Sequence, residues 1–102
     1  MAEAPRRFEN VWNWVRKGPK GRVSTYGDIA ELADCSARQV GTALRRSPPG
    51  LRLPWHRIVA AGGRIALPGD SGLTQRLRLE QEGVGFRGRR ADLVQHRWRP
   101  RD

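Results

Sequence analysis

The stretch that decides the fold is residues 25–46, TYGDIAELADCSARQVGTALRR. Its start has the form of a capping box, because Thr25 is followed three residues later by an aspartate, and it predicts a helix over Tyr26–Ala33. Ser36 caps a second predicted helix over residues 37–46. Two short helices joined by a three-residue turn are typical of a helix-turn-helix motif. This stretch therefore predicts the core of a small helical domain.

The flanking residues add one helix before this motif and one after it. Residues 6–17 place four apolar side chains on one stripe at helical spacing, and residues 18–21, GPKG, end that predicted helix. The stripe consists of Phe8, Val11, Trp12 and Val15. Further on, residues 68–72 are expected to form a loop. Residues 73–83 are predicted to be a helix, with Leu73 and Leu77 on successive turns.

The region between the motif and the last helix predicts a small β-hairpin. Residues 57–60 and 64–67 are β-prone, and Gly62 and Gly63 between them favour a tight turn. A hairpin next to a helix-turn-helix forms a wing. Residues 85–102 are weakly patterned, apart from 91–95 and Trp98. We expect a single domain over residues 1–102, mainly α with a small β-hairpin, of the winged helix-turn-helix class.

The charge favours a polyanionic partner. The 102 residues include 20 Lys and Arg against 10 Asp and Glu, and 18 of the 20 are arginine. Arginine forks match phosphate oxygens and also stack on bases, so a net charge of +10 is typical of a nucleic-acid-binding domain. Residues 87–102 form a basic C-terminal extension. Charge alone does not separate DNA binding from RNA binding or from a solvated basic surface.

Several classes of protein are excluded by what the sequence lacks. It has no apolar run long enough to span a membrane and no apolar stretch behind its N-terminus that resembles a secretory signal. Cys35 is the single cysteine, so an internal disulfide is impossible, and two histidines give no metal-ligand cluster. We therefore expect a cytoplasmic protein without a metal or a cofactor.

Four segments, read in order, resemble one family. They are residues 21–30 (GRVSTYGDIA), 36–41 (SARQVG), 53–59 (LPWHRIV) and 79–84 (LEQEGV). Together they resemble the DNA-binding, active-site domain of the O6-alkylguanine-DNA alkyltransferases, over about residues 8–86. The resemblance implies an alkyltransferase-type winged helix domain that binds duplex DNA.

One residue departs from the family pattern. The alkyltransferases carry Pro-Cys-His-Arg, whereas this chain has Trp55 in the place of the cysteine. Dealkylation needs a thiolate that attacks the alkyl carbon, and an indole offers no such nucleophile. The substitution resembles the alkyltransferase-like proteins, a sister group that binds the lesion without repairing it. The resemblance thus implies a non-enzymatic sensor that flags O6-alkylguanine for nucleotide-excision repair.

The resemblance also assigns DNA-binding residues. Arg38, on the second helix of the motif, would fill the gap left by a flipped nucleotide, and Tyr26 would crowd the lesion's phosphate. That helix is expected to enter the minor groove, where small side chains at Ala37 and Gly41 permit a close approach. Ser36, at the start of the helix, completes the expected DNA-binding set.

The flipped base is expected in a pocket next to the altered motif. Its walls would include the backbone of residues 57–59 and a lid loop from residues 70–72. The expected pocket residues are Tyr26, Trp55, Arg57, Ile58, Val59, Asp70 and Ser71. His56 is expected to be a hydrogen-bonding support, linked to Glu82, which matches the enzymes' supporting carboxylate.

Two other functions remain open at this point. A winged-helix transcription regulator would need only the helix-turn-helix and the hairpin, and it would prefer one operator sequence. An active alkyltransferase would need Cys35 as its nucleophile, although no Cys-His pair surrounds it in the sequence. The expected partners of the sensor are duplex DNA that contains O6-alkylguanine and nucleotide-excision repair proteins, with no membrane and a monomeric chain.

Overall fold

The computed structural model describes residues 6–100, with side chains from Phe8 onward. Three helices form the first half: α1 (Arg6–Lys17), α2 (Tyr26–Ala33) and α3 (Ala37–Arg45). The second half holds α4 (Gly69–Gln81) and a short α5 (Leu93–His96). The strands are β1 (Ser24–Thr25), β2 (Ile58–Val59), β3 (Phe86–Arg87) and β4 (Arg90–Ala91). The mainly α fold class with a small strand pair is confirmed.

The helix-turn-helix forms as its local signals predict. The hydroxyl of Thr25 accepts from the Asp28 N–H at 3.0 Å, and the Asp28 carboxylate accepts from the Thr25 N–H at 3.1 Å. Ser36 and Gln39 make the same reciprocal pair at the start of α3. Asp34 ends α2 in the left-handed region, with φ 59°. Both helix starts are therefore fixed by bonds among near neighbours.

The first core lies between α1, α2 and α3. Its buried apolar residues are Phe8, Val11, Trp12, Val15, Ile29, Ala30, Ala33, Val40, Ala43, Leu53 and Ile58. The indole N–H of Trp12 donates to the Ala43 carbonyl at 2.7 Å, which ties α1 to α3. The stripe predicted on α1 is thus the side that covers the helix-turn-helix.

The predicted hairpin of residues 57–67 is wrong in its pairing. Ile58 and Val59 do form a strand, but β2 pairs in parallel with β1, with Ser24 opposite Ile58 and Thr25 opposite Val59. Residues 61–63 form a single 3-10 turn, in which the Gly63 N–H donates to the Ala60 carbonyl, and across this turn the Ala60 N–H donates to the Arg64 carbonyl. The hairpin of this fold is β3–β4 instead. A buried apolar run such as 58–60 pairs inside the domain, because both of its faces must be covered.

The loop predicted at residues 68–72 is also wrong. Helix α4 begins at Gly69, directly after Pro68, so Asp70 and Ser71 lie in its first turn rather than in a lid. Its buried face carries Gly72, Gln75 and Leu79, whereas the predicted stripe of Leu73 and Leu77 is 65% and 59% exposed. Gln75 is buried because its amide donates to the carbonyls of His56 and Ile58.

The C-terminal residues are more ordered than their pattern predicts. Strand β4 packs into a second core with Val23, Val59, Leu79 and Val84. The chain then returns to β1, where the Val23 N–H donates to the His96 carbonyl and the Trp98 N–H donates to the Val23 carbonyl. No helix within residues 6–100 is long and apolar enough to cross a membrane.

Candidate nucleic-acid interface

A groove of about 700 Å³ runs between the helix-turn-helix and the segment that follows β2. Its walls come from the first turn of α2, from α3 along its whole length, from Trp55 and from the segment after β2. The lining residues are Thr25, Tyr26, Gly27, Ala37, Arg38, Gly41, Leu44, Arg45, Trp55, Ala60, Ala61, Ala66 and Leu67. The lining is mostly apolar, its only charged members are two arginines, and its volume suits a nucleobase-sized ligand.

The indole of Trp55 separates this groove from a second one. It lies in a 3-10 turn, Trp55–Arg57, and is half-buried. A groove of about 540 Å³ behind it shares Leu44 and Trp55 with the first groove. On that rear side the guanidinium of Arg78 lies 5.5 Å from the centre of the indole ring, within cation–π range. One ring thus meets the candidate site and is held from behind by a helix α4 side chain.

The residue after Trp55 is tied into the interior. His56 Nε2 lies 2.7 Å from the Glu82 carboxylate, and Arg57 donates to the same carboxylate through Nε and Nη2 at 2.8–3.2 Å. The Gly21 N–H adds a third donor at 3.0 Å, and Arg57 also donates to the Gly18 carbonyl. This buried network joins the end of α4, the 3-10 turn and the loop before β1.

Glu82 stays ionised in this network. Burial alone would raise the pKa of its carboxyl, but the hydrogen bonds from Arg57, His56 and Gly21 outweigh burial and lower the pKa to about 2. His56 Nδ1, by contrast, is buried and has no hydrogen-bond partner within the described part of the chain. The support expected of His56 and Glu82 is present as a direct contact.

Four of the five DNA-binding residues expected from the sequence line the groove: Tyr26, Ala37, Arg38 and Gly41. Ala37 and Arg38 are exposed on the first turn of α3, and Gly41 lies one turn later. Tyr26 begins α2 and is half-buried. Burial raises the pKa of its phenol, and the charge of Arg45 opposes this only in part, so the O–H donor persists at neutral pH. Ser36 uses its hydroxyl to cap α3.

Other expected pocket residues lie outside the groove. The side chains of Ile58 and Val59 are buried in the two cores, and that of Arg57 is occupied by Glu82. Asp70 and Ser71 are exposed on α4 and do not line the groove. Their place is taken by residues that sequence reasoning missed: Ala60, Ala61, Ala66 and Leu67. The only signal was a short apolar run around two glycines, which does not tell which face lines a pocket.

Cys35 does not line the groove. It is partly buried against the core of α1–α3. No group of three His, Cys, Asp or Glu side chains within residues 6–100 could hold a metal ion.

Comparison with known proteins gives the family. Residues 6–84 match the model of the 6-O-methylguanine DNA methyltransferase DNA binding domain. The "DNA base-flipping protein" of Escherichia coli K12 is 46% identical over 93 residues, which cover 88% of this chain and 72% of that protein. "Alkyltransferase-like protein 1" of Schizosaccharomyces pombe is 35% identical over 102 residues, covering 91% and 94%.

A solved structure is also similar to this chain. The crystal structure of S. pombe Atl1 in complex with damaged DNA containing O6-carboxymethylguanine matches with a TM-score of 0.79 and 32% identity. The match covers 97% of this chain and 100% of the other. The chain therefore belongs to the 6-O-methylguanine DNA methyltransferase DNA-binding-domain family, on its alkyltransferase-like branch.

Proposed function

We propose that this chain is a non-enzymatic DNA-damage sensor, which binds O6-alkylguanine in duplex DNA and leaves it chemically unchanged. The single observation that carries the proposal is Trp55. It stands in the wall of an apolar, arginine-edged groove, at the position where the alkyltransferases have their nucleophilic cysteine. The relatives that share the fold include a DNA base-flipping protein and a protein crystallised with damaged DNA.

The groove supplies no group for alkyl transfer. The group that accepts the alkyl carbon must be a nucleophile such as a thiolate, and the lining offers an indole, a phenol, a threonine hydroxyl, two guanidinium groups and apolar side chains. Cys35 would have to leave its place against the helical core to reach a base. Binding without transfer is the function that these side chains support.

Lesion reading would require the nucleotide to leave the duplex. Extrusion costs a few kcal/mol, and less for a lesion whose base pair is already weakened. Arg38 is exposed at the mouth of the groove, so its guanidinium can enter the vacated stack and bond the orphaned base. Tyr26 would press on the lesion's phosphate from α2. The small side chains Ala37 and Gly41 let α3 approach the minor groove closely.

The flipped base would rest between Tyr26 and Trp55, with its alkyl group against the apolar turn after β2. Because no reaction has to align an attacking atom, such a pocket tolerates alkyl groups of several sizes. We further propose that the stable complex flags the site for nucleotide-excision repair. The expected setting is the cytoplasm, with the chain acting as a monomer.

A winged-helix transcription regulator is the less well supported candidate function. It depended on a wing at residues 57–67, and that hairpin does not form. It also gives no role to a groove with an indole in its wall.

The proposal is tested by titrating the chain into two labelled duplexes that differ only by one O6-methylguanine. Salt concentration is held fixed, because phosphate contacts make affinity depend steeply on ionic strength. We expect tighter binding to the lesion duplex. The C35S variant should show the same preference for the lesion as wild type, since Cys35 has no part in recognition. Equal affinity for the two duplexes would refute the sensor.

A further inference from the structure

A cluster of arginines lies beyond the groove, around the β3–β4 hairpin. Arg90 is paired with Arg87 across the hairpin, and on its other side with Arg64 through an antiparallel β-bridge. Residues directly opposite one another in a sheet project to the same face, with Cβ atoms about 5 Å apart. Arg89 occupies the hairpin turn. The fold thus brings four cations together from two separate segments of the chain.

This arrangement costs stability in the free protein. Like charges placed directly opposite on adjacent strands repel. Only part of the cluster is neutralised within the chain, where Arg87 lies 3.6 Å from Asp92. Within residues 6–100, no ion pair joins Arg64, Arg89 or Arg90 to an acid, and all three are exposed. A cluster of this kind is explained most simply by an anion that binds it.

The cluster adjoins the candidate DNA groove. A groove of about 560 Å³ includes Arg64, Arg89 and Arg90 in its lining, and it shares Leu67 with the first groove. The guanidinium of Arg90 lies over Gly62 in the turn after β2. A Cβ at Gly62, which has φ +76°, would come within 2.4 Å of Arg90 Nη1. This cation therefore lies against the backbone of the turn, next to Ala61 in the wall of the groove.

We propose that Arg64, Arg89 and Arg90 form a second DNA site, which binds the phosphate backbone of the duplex as it leaves the groove. Planar guanidinium forks make paired hydrogen bonds to phosphate oxygens. The inference rests on the proposed function, because it takes DNA as the ligand of the adjoining groove. An acidic protein segment is the competing occupant, and DNA is favoured because the two grooves adjoin at Leu67.

The test measures how affinity depends on salt. The double variant R64A/R89A leaves the guanidinium over Gly62 in place. The matched control R16A/R22A removes the same charge from exposed residues that line neither groove. Each protein is titrated into the O6-methylguanine duplex and the unmodified duplex at several salt concentrations. Because phosphate contacts carry no sequence information, we expect R64A/R89A to lower the affinity for both duplexes by about tenfold.

The slope of log affinity against log salt should also become shallower, by about 2 for two lost phosphate contacts, and the control should keep the wild-type slope. Without DNA, R64A/R89A should unfold at a higher temperature than wild type, because repulsion is relieved. R89A alone, at the exposed turn, should show half the slope change if the double variant folds poorly. An unchanged slope would overturn the inference and leave an acidic protein as the candidate.

These results are separable from the proposed function. The wild-type preference for the lesion duplex tests the sensor, whereas the salt slope on either duplex tests the arginine site. The lesion preference should be the same in R64A/R89A as in wild type. If wild type shows no preference but the slope changes as expected, the sensor fails and the phosphate site stands.

Discussion

Trp55 and His56 are neighbours in the chain, but they belong to regions of opposite character. His56 lies in a buried network with Glu82 and Arg57, which holds the 3-10 turn to the end of α4. The ring of Trp55 lines the candidate groove and lies within cation–π range of Arg78. The comparison teaches that the scaffold around an alkyltransferase site is separable from its chemistry. Replacing the nucleophile changes what the groove can do, and the network that positions the turn is kept.

The largest expected effect is on the network side. E82Q removes the carboxylate charge that faces Arg57 and His56, and it leaves the partly buried guanidinium of Arg57 without a counter-charge. We expect the free energy of unfolding to fall by about 3 kcal/mol. The control E80Q removes the same charge from an exposed pair with Arg76 and should change stability by less than about 0.5 kcal/mol. Urea denaturation measures both. Equal effects of the two substitutions would mean that the network does not hold the turn.

Acid should loosen the same network. The pKa of Glu82 is lowered from 4.5 to about 2, and that of Asp28 is lowered as well, since hydrogen bonds from Arg97 and Thr25 outweigh burial. As the pH falls, Glu82 and Asp28 are therefore protonated at a higher pH in the unfolded chain than in the folded one. The stability that they contribute is complete above about pH 4.5 and is lost towards pH 2. Across this window the free energy of unfolding should depend less on pH for E82Q than for wild type, and its pH dependence in E80Q should follow wild type.

The groove side should respond in affinity rather than in stability. R38A removes an exposed guanidinium that we assign to the vacated stack, so lesion binding should weaken by about 20-fold. Its melting temperature should stay within a degree or so of wild type, as is usual for exposed positions. R16A, on α1 and outside the groove, serves as the matched loss of charge. If R38A and R16A bind the lesion equally well, Arg38 does not fill the vacated stack.

The smallest expected effect concerns the indole itself. R78A removes the cation behind Trp55, and we expect the preference for lesion over unmodified duplex to fall by about threefold. R52A is the control, because Arg52 lines the same rear groove but, within residues 6–100, it is Arg78 that stacks on the ring. In a W55F background R78A should have less effect on that preference. An undiminished loss there would show that Arg78 acts on DNA directly rather than through the indole.

Local signals in the sequence predicted the helix-turn-helix well. The starts of α2 and α3 depend on bonds between residues three apart, so Thr25 and Ser36 mark them without any knowledge of the rest of the chain. Tyr26 and Arg38 lie in the first turns of those two helices, and they line one groove because α2 and α3 pack on each other through a shared core.

Long-range pairing was the part that the sequence did not determine. Residues 58–59 look equally suited to a hairpin with 64–67 and to a parallel partner, and their choice of Ser24–Thr25 depends on how the two cores assemble. Pro68 is typical of a loop in the sequence, but in the structure it directly precedes the first turn of α4. The approach of Arg64 to Arg90, 26 positions apart, leaves no periodic trace in a single sequence.

The central claim is that this chain recognises O6-alkylguanine and leaves it in place. The most direct test incubates a saturating amount of protein with the O6-methylguanine duplex, then digests the recovered DNA and quantifies O6-methylguanine by mass spectrometry. The intact mass of the protein is measured in the same sample. We expect the full amount of O6-methylguanine and an unchanged protein mass. Loss of the lesion together with a methyl adduct on the protein, on Cys35 or elsewhere, would contradict the account.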